Sequence, residues 1–211
     1  MYEEIAADFL KTDIDVFIGG GIEHFSKRKD GRNLMTELEQ KGYQVETDIN
    51  KVKEIKSGKL AALTAPVHNG RVAERGDMLP IASETAIDIL SQNKKGFFLM
   101  IEGSQIDWGG HAGSTVYVVE EMLDFDKVIG QAVKFAAKDK NTLVVVTADH
   151  ETGGMALTGG NMENGVVKAD FPTGSHTAVM VPVFAFGPGA EEFTGIMENT
   201  EIHKKMMSLL F

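Results

Sequence analysis

Cysteine is absent from these 211 residues, so neither a disulfide nor a thiolate metal ligand can take part in the chemistry. That absence is neutral about compartment, since many exported proteins also lack disulfides. Proline is sparse, at 5 residues against 23 glycines, which points to tight turns between regular elements. No apolar run approaches the ~20 residues of a membrane span. Basic residues are outnumbered, with 21 Lys and Arg against 31 Asp and Glu and a formal net charge of −10. This balance argues against a nucleic-acid partner, because such binding draws its affinity from clustered Lys and Arg. An anionic substrate would need some other attraction, and a bound cation would serve. Internal repeats and low-complexity tracts are missing too. The start, "MYEEIAADFLKTD", is acidic and amphipathic and does not read as a signal peptide. The expectation is either a cytoplasmic protein or a chain that begins downstream of its true start.

What is present is 43% hydrophobic residues, enough for one substantial core. Apolar runs alternate with helical patterns. "DVFIGGG" reads as a buried strand ending in a glycine turn, "YQVET" as a second strand and "KLAALTAP" as a third ending at Pro66. "NLMTELEQKG" predicts a helix from Asn33 to a stop at Gly42, and "SETAIDILSQNKKG" a helix capped by Ser83 and stopped by Gly96. "FFLMIEG", "NTLVVVTADH" and "VPVFAFGPG" read as further strands, and Thr200 to Phe211 as a terminal helix. Val118, Met122, Phe125, Ile129, Ala132 and Ala136 recur at steps of three and four, predicting an amphipathic helix. On this reading Glu120, Glu121, Asp124 and Asp126 form its solvated face, with Asp126 pairing locally with Lys127. The eleven methionines read as core filler. The pattern implies an α/β fold with a mainly parallel sheet between helical layers. In such sheets ligands bind beyond the carboxyl ends of the strands.

Three stretches concentrate metal-type ligands at predicted strand edges. In "IEGSQIDWGGHAG", Glu102 closes a strand and Asp107 and His111 follow with the spacing D-x-x-x-H. On a helix that spacing would place both on one face, but Gly109 and Gly110 argue for a tight turn instead. In "TADHETGG", Asp149 and His150 are adjacent at the end of an apolar run, where an unpaired charge would cost several kcal/mol to bury. His176 precedes the last strong strand. Each group alone reads as a solvated loop, a cap or a structural histidine. Together they offer three carboxylates and three histidines, a donor set suited to zinc and magnesium. His24, His68 and His203 lack such company and read as ordinary packing or surface residues.

Taken with "MLPIASETAIDILSQNKKGFFLMIEGSQIDWGGHAG", "VVVTADHETGG" and "HTAVMVPVFAFGPGAEEFTG", these stretches make the sequence resemble the alkaline phosphatase family across most of its length. The resemblance implies a metal-dependent phosphomonoesterase. It assigns Asp107, His111 and His176 to the first of two zinc sites, Asp149 and His150 to the second, and Glu102 to a magnesium site. Trp108 occupies a position that influences the magnesium region. The resemblance also implies a phosphomonoester substrate and a parent that is periplasmic or secreted. It further implies that residues 1–211 form the C-terminal portion of a catalytic domain.

The departures are as informative. Family members are roughly twice this long and carry a nucleophilic serine in an Asp-Ser-Ala type motif, which none of the eight serines here matches. The carboxylate bridging the second zinc and the magnesium, the magnesium-site threonine and the phosphate-binding arginine also have no counterpart. Only 25 residues separate His150 from His176, where larger members carry an additional surface domain. The expectation is therefore a chain that is inactive alone and, with a sheet edge left open, prone to self-association as a homo-oligomer or aggregate. Cofactor-independent phosphoglycerate mutases and phosphopentomutases share D-x-x-x-H, "TADH" and a late histidine, but the acidic residue five positions before Asp107 favours the phosphatase. A non-enzymatic metal-binding module is the alternative from another class.

Overall fold

The strand "KLAALTA" is apolar on both faces, and the fold uses both. In the computed structural model, which describes residues 1–210, this strand, β3 (Lys59–Ala65), lies between β1 (Val16–Gly20) and β2 (Tyr43–Glu46), parallel to each. Successive side chains on a strand point to opposite faces. Ala61 and Leu63 pack with Ala6, Leu10, Phe25, Leu34, Leu38 and Tyr43, whereas Leu60 and Ala62 pack with Val52 and Ile89.

The helices of this first unit, Met1–Glu102, are α1 (Tyr2–Asp8), α2 (Ile22–Ser26), α3 (Leu34–Gln40), α4 (Ile49–Val52), α5 (Val72–Arg75) and α6 (Met78–Leu90). The Asn33 side chain caps α3 by accepting from the Met35 and Thr36 amides, and Gly42 follows the helix with φ 87°. Helix α6 begins five residues before the predicted cap. Ser83 is therefore internal and buried, and its hydroxyl donates to the Leu79 carbonyl at 2.7 Å. Pro80 is tolerated because it lies in the first turn, where amides have no helical partner.

The second unit, from Gly103 onward, contains α7 (Gln105–His111), α8 (Thr115–Asp139), β4 (Val144–Val146), β5 (Glu151–Thr152), β6 (Ala156–Asn161), β7 (Val166–Asp170), β8 (His176–Thr177), β9 (Phe184–Phe186), a 3-10 turn (Ala190–Phe193) and α9 (Asn199–Leu210). Phe211, to which the terminal helix was expected to run, lies outside the described residues. The strands here pair as β4 with β9, β5 with β8 and β6 with β7, all antiparallel, so the parallel sheet belongs to the first unit. Among the described residues "FFLMIEG" forms no ladder, although its exposure alternates as in an extended segment, with Phe98 and Met100 outward. The hairpin β6–β7 has no counterpart in the sequence reading. Its turn signal is Asn164-Gly165, with Gly165 at φ 63°.

Helix α8 corrects the expected polar face. Ser114 caps it, but its buried line runs through Val118, Glu121, Asp124, Val128 and Ala136. Glu121 and Asp124 are 2% and 1% exposed, while Met122 is half exposed. Between Glu121 and Val128 the buried stripe lies one residue before the apolar periodicity. Lys127 lies 3.5 Å from Asp124, not paired with Asp126. Methionine also departs from core filler, since Met100, Met122, Met162 and Met180 are exposed.

Candidate metal centre

The D-x-x-x-H stretch is helical, not a turn. α7 places Asp107 and His111 one helical turn apart on one face. The glycines between them serve close packing rather than chain reversal. A Cβ on Gly109 would approach Val118 to 2.9 Å, and one on Gly110 would approach the Thr152 carbonyl to 2.8 Å. Both are nearer than real Cβ atoms come, so only glycine lets α7 settle against α8 and β5.

β8 brings His176 to this face. One donor atom from each of Asp107, His111 and His176 lies within 4.8 Å of the others, and among the described residues this is the cluster able to hold a metal ion. The His111 Nε2 is 3.4 Å from Asp107 Oδ2, and the His176 Nε2 is 3.5 Å from Asp107 Oδ1 and 3.2 Å from the His111 Nε2. The His111 Nδ1 is 2.7 Å from the Gly174 carbonyl. A carbonyl can only accept, so Nδ1–H donates and the His111 Nε2 is left with a lone pair unless the ring is protonated. Two imidazole Nε2 atoms at 3.2 Å beside a carboxylate need a cation or a shared proton between them. The donor set, one carboxylate and two imidazoles, fits zinc without thiolate. All three side chains are 34–49% exposed, which leaves the site open on its solvent side.

The other predicted ligands are placed less closely. His150 does not join the three donors, but its ring stacks on His176 with centroids 3.6 Å apart. Its Nε2 is 3.2 Å from Asp149 Oδ2, and Asp149 is 87% exposed. Glu102 is the last residue of the first unit and is exposed. Trp108 is 45% exposed. His24, in α2, stacks on Tyr2 at 5.1 Å, and His68 and His203 are exposed.

Residues that the sequence reading passed over hold this arrangement. Thr152 Oγ1 donates to Asp107 Oδ1 at 2.5 Å and sits 3.3 Å from His150 Nδ1, bridging two of the predicted ligand groups. Glu151 accepts from the Thr177 hydroxyl and from the amides of Gly154 (3.0 Å) and Met155 (3.1 Å). The Thr177 hydrogen bond, helped by the two amides and by nearby His150, holds the Glu151 carboxyl below its ordinary value of 4.5 against the opposing effect of burial. The signal was available in "HETGG", where two polar residues follow the histidine directly, but Asp107 and Thr177, the partners that tie them to the site, are distant in the chain.

The alkaline phosphatase family model matches residues 1–170. Among curated proteins, alkaline phosphatase 4 of Bacillus subtilis is 33% identical over 90% of this chain and 56% of its own length. The alkaline phosphatase of Escherichia coli is 29% identical over 98% of the chain and 54% of its own length. The chain thus spans about half the length of the curated relatives it matches. The solved alkaline phosphatase of the Antarctic bacterium TAB5 is similar over 99% of this chain and 64% of its own, with 42% identity and a TM-score of 0.91. A variant of that enzyme was solved with magnesium bound. The cold-active enzyme of a psychrophilic Shewanella covers the whole chain at 30% identity and a TM-score of 0.89. With a family model over most of its residues, and the same fold in solved members, this chain belongs to the alkaline phosphatase family.

Proposed function

We propose that this chain supplies the metal-holding part of a phosphomonoesterase, with Asp107, His111 and His176 as ligands of a first zinc. The observation that carries the reading is the trio of donor atoms within 4.8 Å, with the His111 Nδ1 occupied by the Gly174 carbonyl. Asp149 and His150 are the ligands offered to a second zinc, and Glu102 the ligand offered to magnesium. When bound, zinc supplies Lewis-acid stabilisation of the charge on phosphoryl oxygens. The protein's own part is to orient the donors: α7 sets the spacing of Asp107 and His111, β8 delivers His176, and Thr152 fixes the Asp107 carboxylate. The substrate class is a phosphomonoester, and a cation in the site would offset the −10 charge of the chain.

No serine in the sequence has the family's nucleophile motif, so the chain alone is expected to give no turnover. Three ligands hold a cation more strongly than two or one, so at most one zinc is held tightly. Calorimetric titration of the metal-free chain should find that site, and His176→Ala should lose it. p-Nitrophenyl phosphate hydrolysis at alkaline pH should stay at background. Unchanged zinc affinity in His176→Ala would overturn the ligand set. Turnover that survives removal of host phosphatase would overturn the missing nucleophile. Self-association is expected from the sheet edge that the family resemblance leaves open, and light scattering at rising concentration should detect it; a monodisperse monomer would refute it.

A further inference from the structure

Strands β5 and β8 are only two residues long, yet they determine where two histidines stand. Their register sets Glu151 opposite Thr177 and Thr152 opposite His176. Because successive strand residues face opposite ways, Thr152 and His176 share the face toward Asp107, and Glu151 and Thr177 share the reverse face. A pair this short is marginal by its ladder alone. A slip of one residue would carry His176 to the wrong face entirely. Nor is His176 held by deep burial, being 49% exposed, and its ring neighbours are themselves the histidines His150 and His111.

The reverse face carries what the ladder lacks. One carboxylate, that of Glu151, gathers the Thr177 hydroxyl from β8 and the Gly154 and Met155 amides from the turn after β5. The same turn is tied to the chain before β8 through the Gly153 amide and the Ser175 carbonyl at 3.0 Å. Gly153 and Gly154 both have positive φ, 87° and 63°, so the turn brings two consecutive amides back onto the side chain that precedes it.

We propose that Glu151 is a positioning residue: a clamp behind the site that locks the register of β5 against β8 and so holds the stacked His150 and His176 rings in place for cation capture. Its effect on metal affinity rests on the metal-centre reading above; its effect on the rings does not. The carboxylate is committed to three donors on the reverse face, so it acts through the histidines and not as a ligand.

The test uses the full chain, its Glu151→Ala, Glu151→Gln and Thr177→Val variants, and His176→Ala as the control for the site. In the metal-free proteins, histidine ring NMR signals report the 3.6 Å stack through mutual ring-current shifts. Glu151→Ala should lose those shifts while circular dichroism shows a folded chain. Its zinc affinity should fall about 10–100-fold, the range for partners that orient ligands, and its cobalt absorption spectrum should change. Glu151→Gln keeps one acceptor oxygen and should recover most of both readouts, and Thr177→Val should fall between. A folded Glu151→Ala with wild-type ring shifts overturns the clamp. So does a Glu151→Gln as impaired as the alanine variant, since the glutamine oxygen keeps the acceptor that the Thr177 hydroxyl and Gly154 amide share. If Glu151→Ala fails to fold, Thr177→Val decides, and unaltered ring shifts there overturn the proposal. If the wild-type chain binds neither zinc nor cobalt while the ring shifts respond as expected, the metal-centre reading fails and the clamp stands.

Discussion

In the first unit the central strand is sealed on both faces, with Leu60, Ala61 and Ala62 at 0% exposure and Leu34 and Leu38 equally buried beside it. In the second unit β4 is only half buried, and its antiparallel partner β9 leaves Phe184 65% exposed. The first unit is ordered by apolar packing, which is non-directional and roughly additive in area. The candidate metal-binding face of the second is ordered by glycine contacts and directional hydrogen bonds, Thr152 to Asp107 and Thr177 to Glu151. The difference teaches where each is vulnerable: the first to lost volume, the second to lost geometry.

Lost volume should give the largest effect. Leu34→Ala removes a fully buried side chain and should cost about 2–5 kcal/mol in urea unfolding. A loss below about 1 kcal/mol would break the comparison on the side of the first unit. Next comes the ligand face. Asp107→Asn should cost more zinc affinity than the ~10–100-fold typical of outer partners, yet shift metal-free stability by only about 0.5 kcal/mol, as is usual at a partly exposed position. A large loss of metal-free stability would make Asp107 a structural residue first.

The glycines sharpen the contrast within one unit. Gly110→Ala places a Cβ 2.8 Å from the Thr152 carbonyl and should cost about 1–3 kcal/mol, weakening zinc binding in parallel. Gly130→Ala, in α8 with nothing within 4 Å of its Cβ, should instead stabilise by about 0.5–1 kcal/mol. Thermal melts of the two variants should move in opposite directions.

The smallest effect concerns surface charge on the first unit. Hydrogen bonds from Lys59 to Asp13, Arg28 to Asp30 and Arg32 to Glu37 hold these carboxyls below their ordinary values of 3.8, 3.8 and 4.5. A carboxyl lowered in the folded state adds stability that is present above its unfolded value and lost as pH falls through the folded one. Stability should therefore decline from about pH 4.5 downward, by a slight amount because the three carboxylates are 33–94% exposed and are screened. Urea midpoints at pH 6, 4 and 3, with and without added salt, check the sign. A midpoint that rises on acidification would contradict it.

Much of this was legible in the residues. β1, β2, β3 and α3 follow their predicted bounds closely, because alternating or continuous apolar runs and an Asn cap are local signals. The metal-type donors that the fold gathers, Asp107, His111 and His176, were legible too, since they stand in short motifs. What misled was also local. Gly109 and Gly110 looked like a turn, Ser83 like a cap, and Glu121 and Asp124 like a solvated face.

By itself the sequence determined which side chains carry metal-type donor atoms, where the strands of the first unit run, and that these residues offer no thiolate, because these depend on residue chemistry and short-range periodicity. Only the tertiary structure decided that two glycines mark helix packing against Val118 and Thr152 and not a chain reversal. It alone decided that Glu121 and Asp124 turn inward. It alone brought His176 to Asp107 and His111 across more than sixty residues, with Glu151 bound to Thr177 behind it. Those outcomes turn on ångström-scale approaches between segments far apart in the chain, and a pattern read along one strand or one helix carries no information about which distant surface it will meet.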